Sequence, residues 1–467
     1  MVCCPVQGGR RIQVRKVYME RQELSLLPLE ELLKKEGILC SCGKCHKSPV
    51  DQVELGRDNL QRIVSMAEEC NMKHPVIIAD RNTKEIGEKA GKFLREGGIA
   101  PVFHLLDTDR PEPDEYWVGS VSLYYEREWD GIIAVGSGTI NDICKIISSM
   151  TKLPYILVGT APSMDGYASN TSSMVRDGLK VSIPSACPSK ILLDTRILAK
   201  APMRMIQAGL GDMAAKYVSL CEWKISHLLT GEYYCREIAD LVKKSLDTCM
   251  ESCEGLAKRD EEAAGNVAYG LVLSGIAMSF AGISRPASGM EHYFSHIWEM
   301  NALEHHQAHD LHGIQVGVGT LLSIPVIKAI GKMEPDREKA LAYVNTFDME
   351  EWKGFTKKVF GAASPSIIKR EEEEQKYNKQ FHKKRLEIIL SKWEEIQKII
   401  DELPEETWLR EKLKETGAPL TPEELGISRE MVHDSFIATK DIRDKYISTR
   451  LLWDLGMLEE TADRFFR

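Results

Sequence analysis

Residues 288–296 read SGMEHYFSH and set His292 and His296 four positions apart, which places both on one face if the segment is helical. Zinc proteases use that spacing in HExxH, with the catalytic glutamate between the histidines. Here the acid, Glu291, precedes the first histidine, so the protease base is out of place. A third histidine, His312, stands in LHGIQVGVGT (311–320), and GLGDMAAKY (209–217) carries Asp212 among Leu210, Met213, Ala214 and Tyr217. An ionised carboxylate in such a run is costly unless it is paired or binds a metal; capping a helix after Gly211 is the plainer use. Singly, each histidine reads as a satisfied core residue. Together with Asp212 they favour a metal site, since two imidazoles and a carboxylate hold a divalent ion and leave a coordination position open. HHQAH (305–309) adds His305, His306 and His309 in a polar stretch read as a loop, and these are weaker ligand candidates.

A second cluster lies near the start. CSCGKCH puts Cys40, Cys42, Cys45 and His46 within seven residues. A zinc knuckle needs a second, distant ligand pair, so a thiol-rich turn stands level with a metal site. Three further stretches suit a nucleotide. GSGTIND (136–142) is a glycine turn at a strand-to-helix junction, where backbone N–H groups meet a pyrophosphate. Asn141 replaces the last glycine of the GxGxxG fingerprint, so a structural turn competes. Asp80 ends a strand-like run, where a carboxylate accepts from a ribose or caps the next helix. GTAPSMDGYAS (159–169) is rich in hydroxyls and carries Asp165; it reads as a ligand-facing loop or as a surface turn at Asp165-Gly166.

The elements needed to position these groups follow from the hydrophobic pattern. Short apolar runs at 74–80, 101–107, 131–139, 154–160 and 190–195 alternate with helical stretches. That alternation predicts a Rossmann-like parallel sheet with crossover helices and ligands at the carboxyl ends of the strands. VRDGLKVSIPS (175–185) reads as a hairpin turning at Asp177-Gly178. Beyond about residue 200 the pattern is helical: 202–228, 233–257, 263–283, 286–304, 312–331, 337–346, 370–402, 422–437 and 439–456, with Pro325 as a kink point. The expected division is an extension over 1–70, a nucleotide-binding α/β domain over 71–200, and an all-α metal- and substrate-binding domain over 201–467.

Of 467 residues, 43% are hydrophobic and the net charge is −9. This fits a folded protein of more than one domain and argues against a nucleic-acid partner. Twelve cysteines without a secretory leader suggest a reducing cytoplasm. Residues 263–284 carry no charge and are long enough to span a bilayer. Their Asn266, glycines and serines, and the lack of a companion stretch, favour a buried helix over a membrane span. The charge-dense run at 370–385 is expected to be a solvated helical face.

In this order GSGTIND, GTAPSMDGYAS, GLGDMAAKY, RPASGMEHYFSHIWEM and HGIQVGVGT resemble the sn-glycerol-1-phosphate dehydrogenase family, with GAPLTPEELGIS (417–428) a weaker match. The family lies within the dehydroquinate synthase-like superfamily that includes glycerol dehydrogenases and iron-containing alcohol dehydrogenases. The resemblance implies reversible, metal-dependent reduction of dihydroxyacetone phosphate to sn-glycerol 1-phosphate with NAD or NADP. It implies Asp212, His292 and His312 as ligands of one divalent metal, zinc or nickel ahead of iron. Asp165 and His296 would be catalytic and contact the substrate, with Asp212 beside them. Asp80, Gly136, Ser137, Gly138, Thr139, Ile140, Thr160, Ala161, Pro162, Ser163 and Ser169 would hold the nucleotide. Arg285 and Lys216 are the cations expected near a phosphorylated triose, and a structural ion pair is an equal reading for either. A homodimer is compatible with this picture. Competing readings are a polyol dehydrogenase, a dehydroquinate synthase-like lyase, and an interaction protein built on CSCGKCH with an inactive dehydrogenase body.

Overall fold

The computed structural model describes residues 23–176 and 179–467. The chain first makes a small antiparallel pair, β1 (Ile38–Leu39) and β2 (Cys45–His46), then β3 (Gln52–Gly56). The five apolar runs become β4 (Val76–Asp80), β5 (Val102–Leu106), β6 (Ile132–Gly136), β7 (Tyr155–Gly159) and β10 (Lys190–Asp194). With β3 they form one six-stranded sheet in the order β3-β10-β7-β6-β4-β5, and every neighbouring pair is parallel. β4, β6, β7 and β10 are buried along their whole length, as strands covered on both faces must be. Successive side chains serve opposite cores: Val76 and Ile78 enter one, Ile77 and Ala79 the other. The first of these cores runs on without a break into the helical half.

β3 corrects the expected extension over 1–70, because the sheet already begins at Gln52. Its sequence QVELG carries no apolar run, since this edge strand has one partner and stays partly exposed. The predicted hairpin is formed by β8 (Thr171–Arg176) and β9 (Leu179–Pro184); its expected tip, Asp177-Gly178, lies outside the described residues.

Helices α1 (Lys84–Glu96) and α2 (Gly138–Thr151) follow β4 and β6. The helical half opens with α3 (Met203–Ala214), α4 (Lys216–Thr230), α5 (Arg236–Glu251), α6 (Glu261–Ala281), α7 (Met290–Glu304) and α8 (His312–Gly331). The expected single helix over 202–228 is broken at Ala215. Pro325 lies inside α8, which continues past it. The expected helix over 370–402 is divided among Ser364–Glu373, Lys379–Ser391 and Trp393–Asp401. Glu371 in the charged run is buried and bonded to Lys376 and Arg450, so that run is not wholly a solvated face. Helices Met349–Phe360, Glu406–Glu415 and Leu458–Phe466 have no counterpart in the sequence reading.

Among the described residues two helices, α6 and α8, are long and apolar enough to cross a membrane, so α6 does have a companion. In each, 78% of the apolar window is buried inside the protein, as expected of core helices. The backbones of α3 and α8 touch through glycines. A side chain at Gly211 would overlap the Gly313 carbonyl, and one at Gly313 would overlap that of Ala208. This contact brings the end of α3, with Asp212, against the start of α8, with His312.

Candidate active site

Asp212, His292 and His312 come from three helices, α3, α7 and α8, and their ligand atoms lie within 4.8 Å of one another. Asp212 is almost fully buried. Its Oδ2 accepts the backbone N–H of Asp165 at 2.8 Å. Its Oδ1 accepts no hydrogen bond among the described residues, although His292 Nε2 stands 3.3 Å away. Burial raises the carboxyl pKa, but Lys216 and the two histidines outweigh it and hold the group well below the usual carboxylate range. A buried, ionised oxygen with no donor beside two imidazoles is what a cation would satisfy. The donor set suits zinc, nickel or ferrous iron, so these residues fit the metal that the sequence suggested.

Each imidazole is held by its other nitrogen. Nδ1 of His292 lies 2.8 Å from Glu291 Oε1, which also accepts the Gly289 N–H at 2.7 Å. Nδ1 of His312 lies 2.9 Å from Ser295 Oγ and 3.1 Å from Glu299 Oε1. Such partners fix the ring and its tautomer and leave Nε2 for a ligand. Glu291 and Glu299 were not singled out as site residues from sequence. For Glu291 a signal existed: an acid directly before a ligand-type histidine at a helix start.

His296, one turn beyond His292, stacks on His312 with ring centroids 5.3 Å apart. Burial pushes its pKa well below the usual imidazole range against the pull of Glu299, and the charges of His312, Lys180 and Arg443 push the same way. His296, Glu299 and His312 form a second group within ligand distance. Glu299, however, is already ion-paired to Lys180, and His312 Nδ1 is engaged by Ser295 and Glu299. The Asp212 group, with its unpartnered oxygen, is therefore the better metal site.

Asp165 Oδ2 accepts from Lys216 Nζ at 2.5 Å and from Ser274 Oγ at 3.1 Å. Lys216 thus stays at the site, anchored by Asp165 and the Ala287 carbonyl at 3.1 Å. Arg285 does not: it is buried, ion-paired to Glu232 at 2.7 Å and bonded to the Tyr446 carbonyl. The expectation of Arg285 near a substrate phosphate is corrected, because its charge is consumed in that pair. Lys180 and Arg443 are the cations whose charge reaches His296; Lys180 is paired to Glu299, whereas Arg443 forms no ion pair among the described residues. His305, His306 and His309 join no ligand cluster among the described residues.

The nucleotide candidates gather at the carboxyl ends of β4, β6 and β7. The chain passes from β4 out to β5 and then back across to β6, so the crevice between β4 and β6 is a topological switch point. Gly136 ends β6, and Ser137 caps α2, its hydroxyl 2.5 Å from Ser163 Oγ on the neighbouring loop. Gly138, Thr139 and Ile140 form the first turn of α2, and Thr160 N–H bonds the Gly136 carbonyl at 3.1 Å. Ala161, Pro162 and Ser163 continue this loop, with Gly209 of α3 packed on the Pro162 carbonyl. Asp80 sits across the crevice, but its Oδ1 accepts from Thr83 N–H and Oγ1 at 2.9 and 3.0 Å, so it also serves the turn before α1. The Ser169 hydroxyl is bonded to Lys145 and Thr171 at 3.0 Å each and is turned into the loop's own network.

The iron-containing alcohol dehydrogenase family model matches residues 54–202. A glycerol-1-phosphate dehydrogenase [NAD(P)+] of Geobacillus stearothermophilus is 31% identical over 85% of this chain and 90% of its own length. This chain belongs to the glycerol-1-phosphate dehydrogenase family. The corresponding protein of Halalkalibacterium halodurans is 29% identical over 88% of this chain and 94% of its own length. Among solved structures, glycerol dehydrogenase from Schizosaccharomyces pombe superposes with a TM-score of 0.58 at 18% identity, covering 90% of this chain and 92% of that one. The likeness shows a shared fold, an α/β parallel-sheet domain followed by helices. The family resemblance carried by the five sequence motifs is thus the relationship observed.

Proposed function

We propose that the chain catalyses the reversible reduction of dihydroxyacetone phosphate to sn-glycerol 1-phosphate. The observation that carries the reading is the buried, unpartnered Asp212 Oδ1 beside His292 and His312, in a chain similar to proteins of that name. A divalent metal held by Asp212, His292 and His312 would supply Lewis-acid polarisation of the C2 carbonyl, and NAD or NADP would supply the hydride. The turn Gly136 to Ile140 offers its N–H groups to the pyrophosphate, and Thr160 to Ser163 flank it.

Asp165 and Lys216 brace the substrate side. The Asp165 N–H holds Asp212 in place, and Lys216 fixes the Asp165 carboxylate. His296, kept neutral by burial, hydrogen-bonds the substrate oxygen and passes the proton at that atom. Arg443 receives the phosphate, a role that Arg285 is not free to take.

Steady-state oxidation of sn-glycerol 1-phosphate, its enantiomer and glycerol, each with NAD and NADP, tests the reading. Selective turnover of the first is expected. Preference for glycerol would favour a polyol dehydrogenase, and no oxidation of any of them would favour a lyase of the same fold.

A further inference from the structure

The thiol-rich turn acquires its missing ligand from a distant part of the chain. Cys235, at the start of α5, lies against Cys40, Cys42 and His46 of the β1–β2 hairpin, 195 positions from Cys40 in sequence. Cys40, His46 and Cys235 are buried, Cys42 partly so. Cys45, the fourth soft residue of CSCGKCH, points elsewhere, to the Glu36 carbonyl.

The spacing is that of one coordination sphere. Tetrahedral zinc, with Zn–S of about 2.3 Å and Zn–N of about 2.0 Å, separates two sulfurs by roughly 3.8 Å and a sulfur from a nitrogen by roughly 3.5 Å. Here Cys40 Sγ and Cys235 Sγ are 3.5 Å apart, Cys42 Sγ and His46 Nε2 3.4 Å, and Cys235 Sγ and His46 Nε2 3.8 Å. Cys40 and Cys235 are both free thiols; a disulfide would hold their sulfurs about 2.05 Å apart.

The imidazole is prepared for a metal. His46 Nδ1 lies 3.0 Å from the Phe280 carbonyl. A carbonyl only accepts, so Nδ1 carries the proton and Nε2 presents a lone pair to the thiols. Phe280 also stacks on the ring. Tyr233 Oη stands 3.4 Å from Cys42 Sγ, able to donate to a thiolate. Lys44, lying over the Tyr233 ring at 3.3 Å, offsets the negative charge of three thiolates around a dication.

We propose that Cys40, Cys42, His46 and Cys235 form a structural zinc site, separate from the active site, that fastens the N-terminal hairpin to α5 and the end of α6. Four protein ligands close the sphere and leave no position for substrate.

Full-length chain purified with zinc under reducing conditions, without chelator, is examined by zinc K-edge X-ray absorption and metal quantification. Wild type should show zinc with sulfur scatterers at about 2.3 Å. Cys42→Ser and Cys235→Ser should each lose that signal and one equivalent of zinc, while Cys45→Ser retains both. Should the first two variants fail to fold, the wild-type spectrum still decides. Absence of sulfur-bound zinc in zinc-loaded wild type overturns the proposal, as does a Cys40–Cys235 disulfide in the purified chain, or full retention of the signal in Cys235→Ser.

Discussion

Two of the ligand clusters among the described residues are of opposite character. At Asp212, His292 and His312 an oxygen and two imidazoles converge from three helices. This set leaves a coordination position open and neighbours Asp165, Lys216 and His296. At Cys40, Cys42, His46 and Cys235 three thiols and one imidazole fill all four positions. With a metal bound as proposed, the first arrangement would admit a substrate oxygen, whereas the second would only hold chain segments together. Donor softness and closure, rather than the presence of ligand-type residues, separate chemistry from fastening.

The largest effect should separate the two clusters. His292→Ala should abolish turnover and lose the active-site metal, whereas His296→Ala should lose turnover with that metal retained. Cys42→Ser should leave the turnover of folded enzyme unchanged. Metal analysis paired with kcat reads all three, and His292→Ala with full metal and full activity would erase the distinction.

A smaller effect is expected one layer out. Glu291→Gln keeps the shape but removes the charge that orients His292, and should weaken metal affinity or activity about 10–100-fold. Competition with a chelator measures it; an unchanged affinity would make Glu291 a helix-start residue only.

The smallest effect concerns substrate binding. Arg443→Ala should raise KM for the phosphorylated substrate by roughly tenfold or more, the worth of a charged hydrogen bond of about 1.5–3 kcal/mol, with kcat little altered. An unchanged KM would place the phosphate elsewhere.

Much of this was legible in the sequence because periodicity reports burial. The fully buried strands at Val76, Ile132, Tyr155 and Lys190 announced themselves as apolar runs. The edge strand Gln52–Gly56 did not, since one exposed side let it stay polar. At the active site, Asp212 was conspicuous as a charge in an apolar helix. Glu299 was not, because its ion-pair partner Lys180 lies 119 positions away, and Arg443 lies in a segment with no motif of its own. Arg285 misled for the same reason: its partner Glu232 lies 53 positions away. CSCGKCH looked to lack a distant ligand pair, and Cys235 gave no local signal of lying beside it.

The central claim is tested most directly by supplying dihydroxyacetone phosphate and NADH or NADPH to enzyme stripped with chelator and reloaded with zinc, nickel or ferrous iron, then assigning the product's configuration. Metal-dependent formation of sn-glycerol 1-phosphate alone is the predicted result. Formation of the opposite enantiomer, of a racemate, or of product at the same rate without metal would contradict the account.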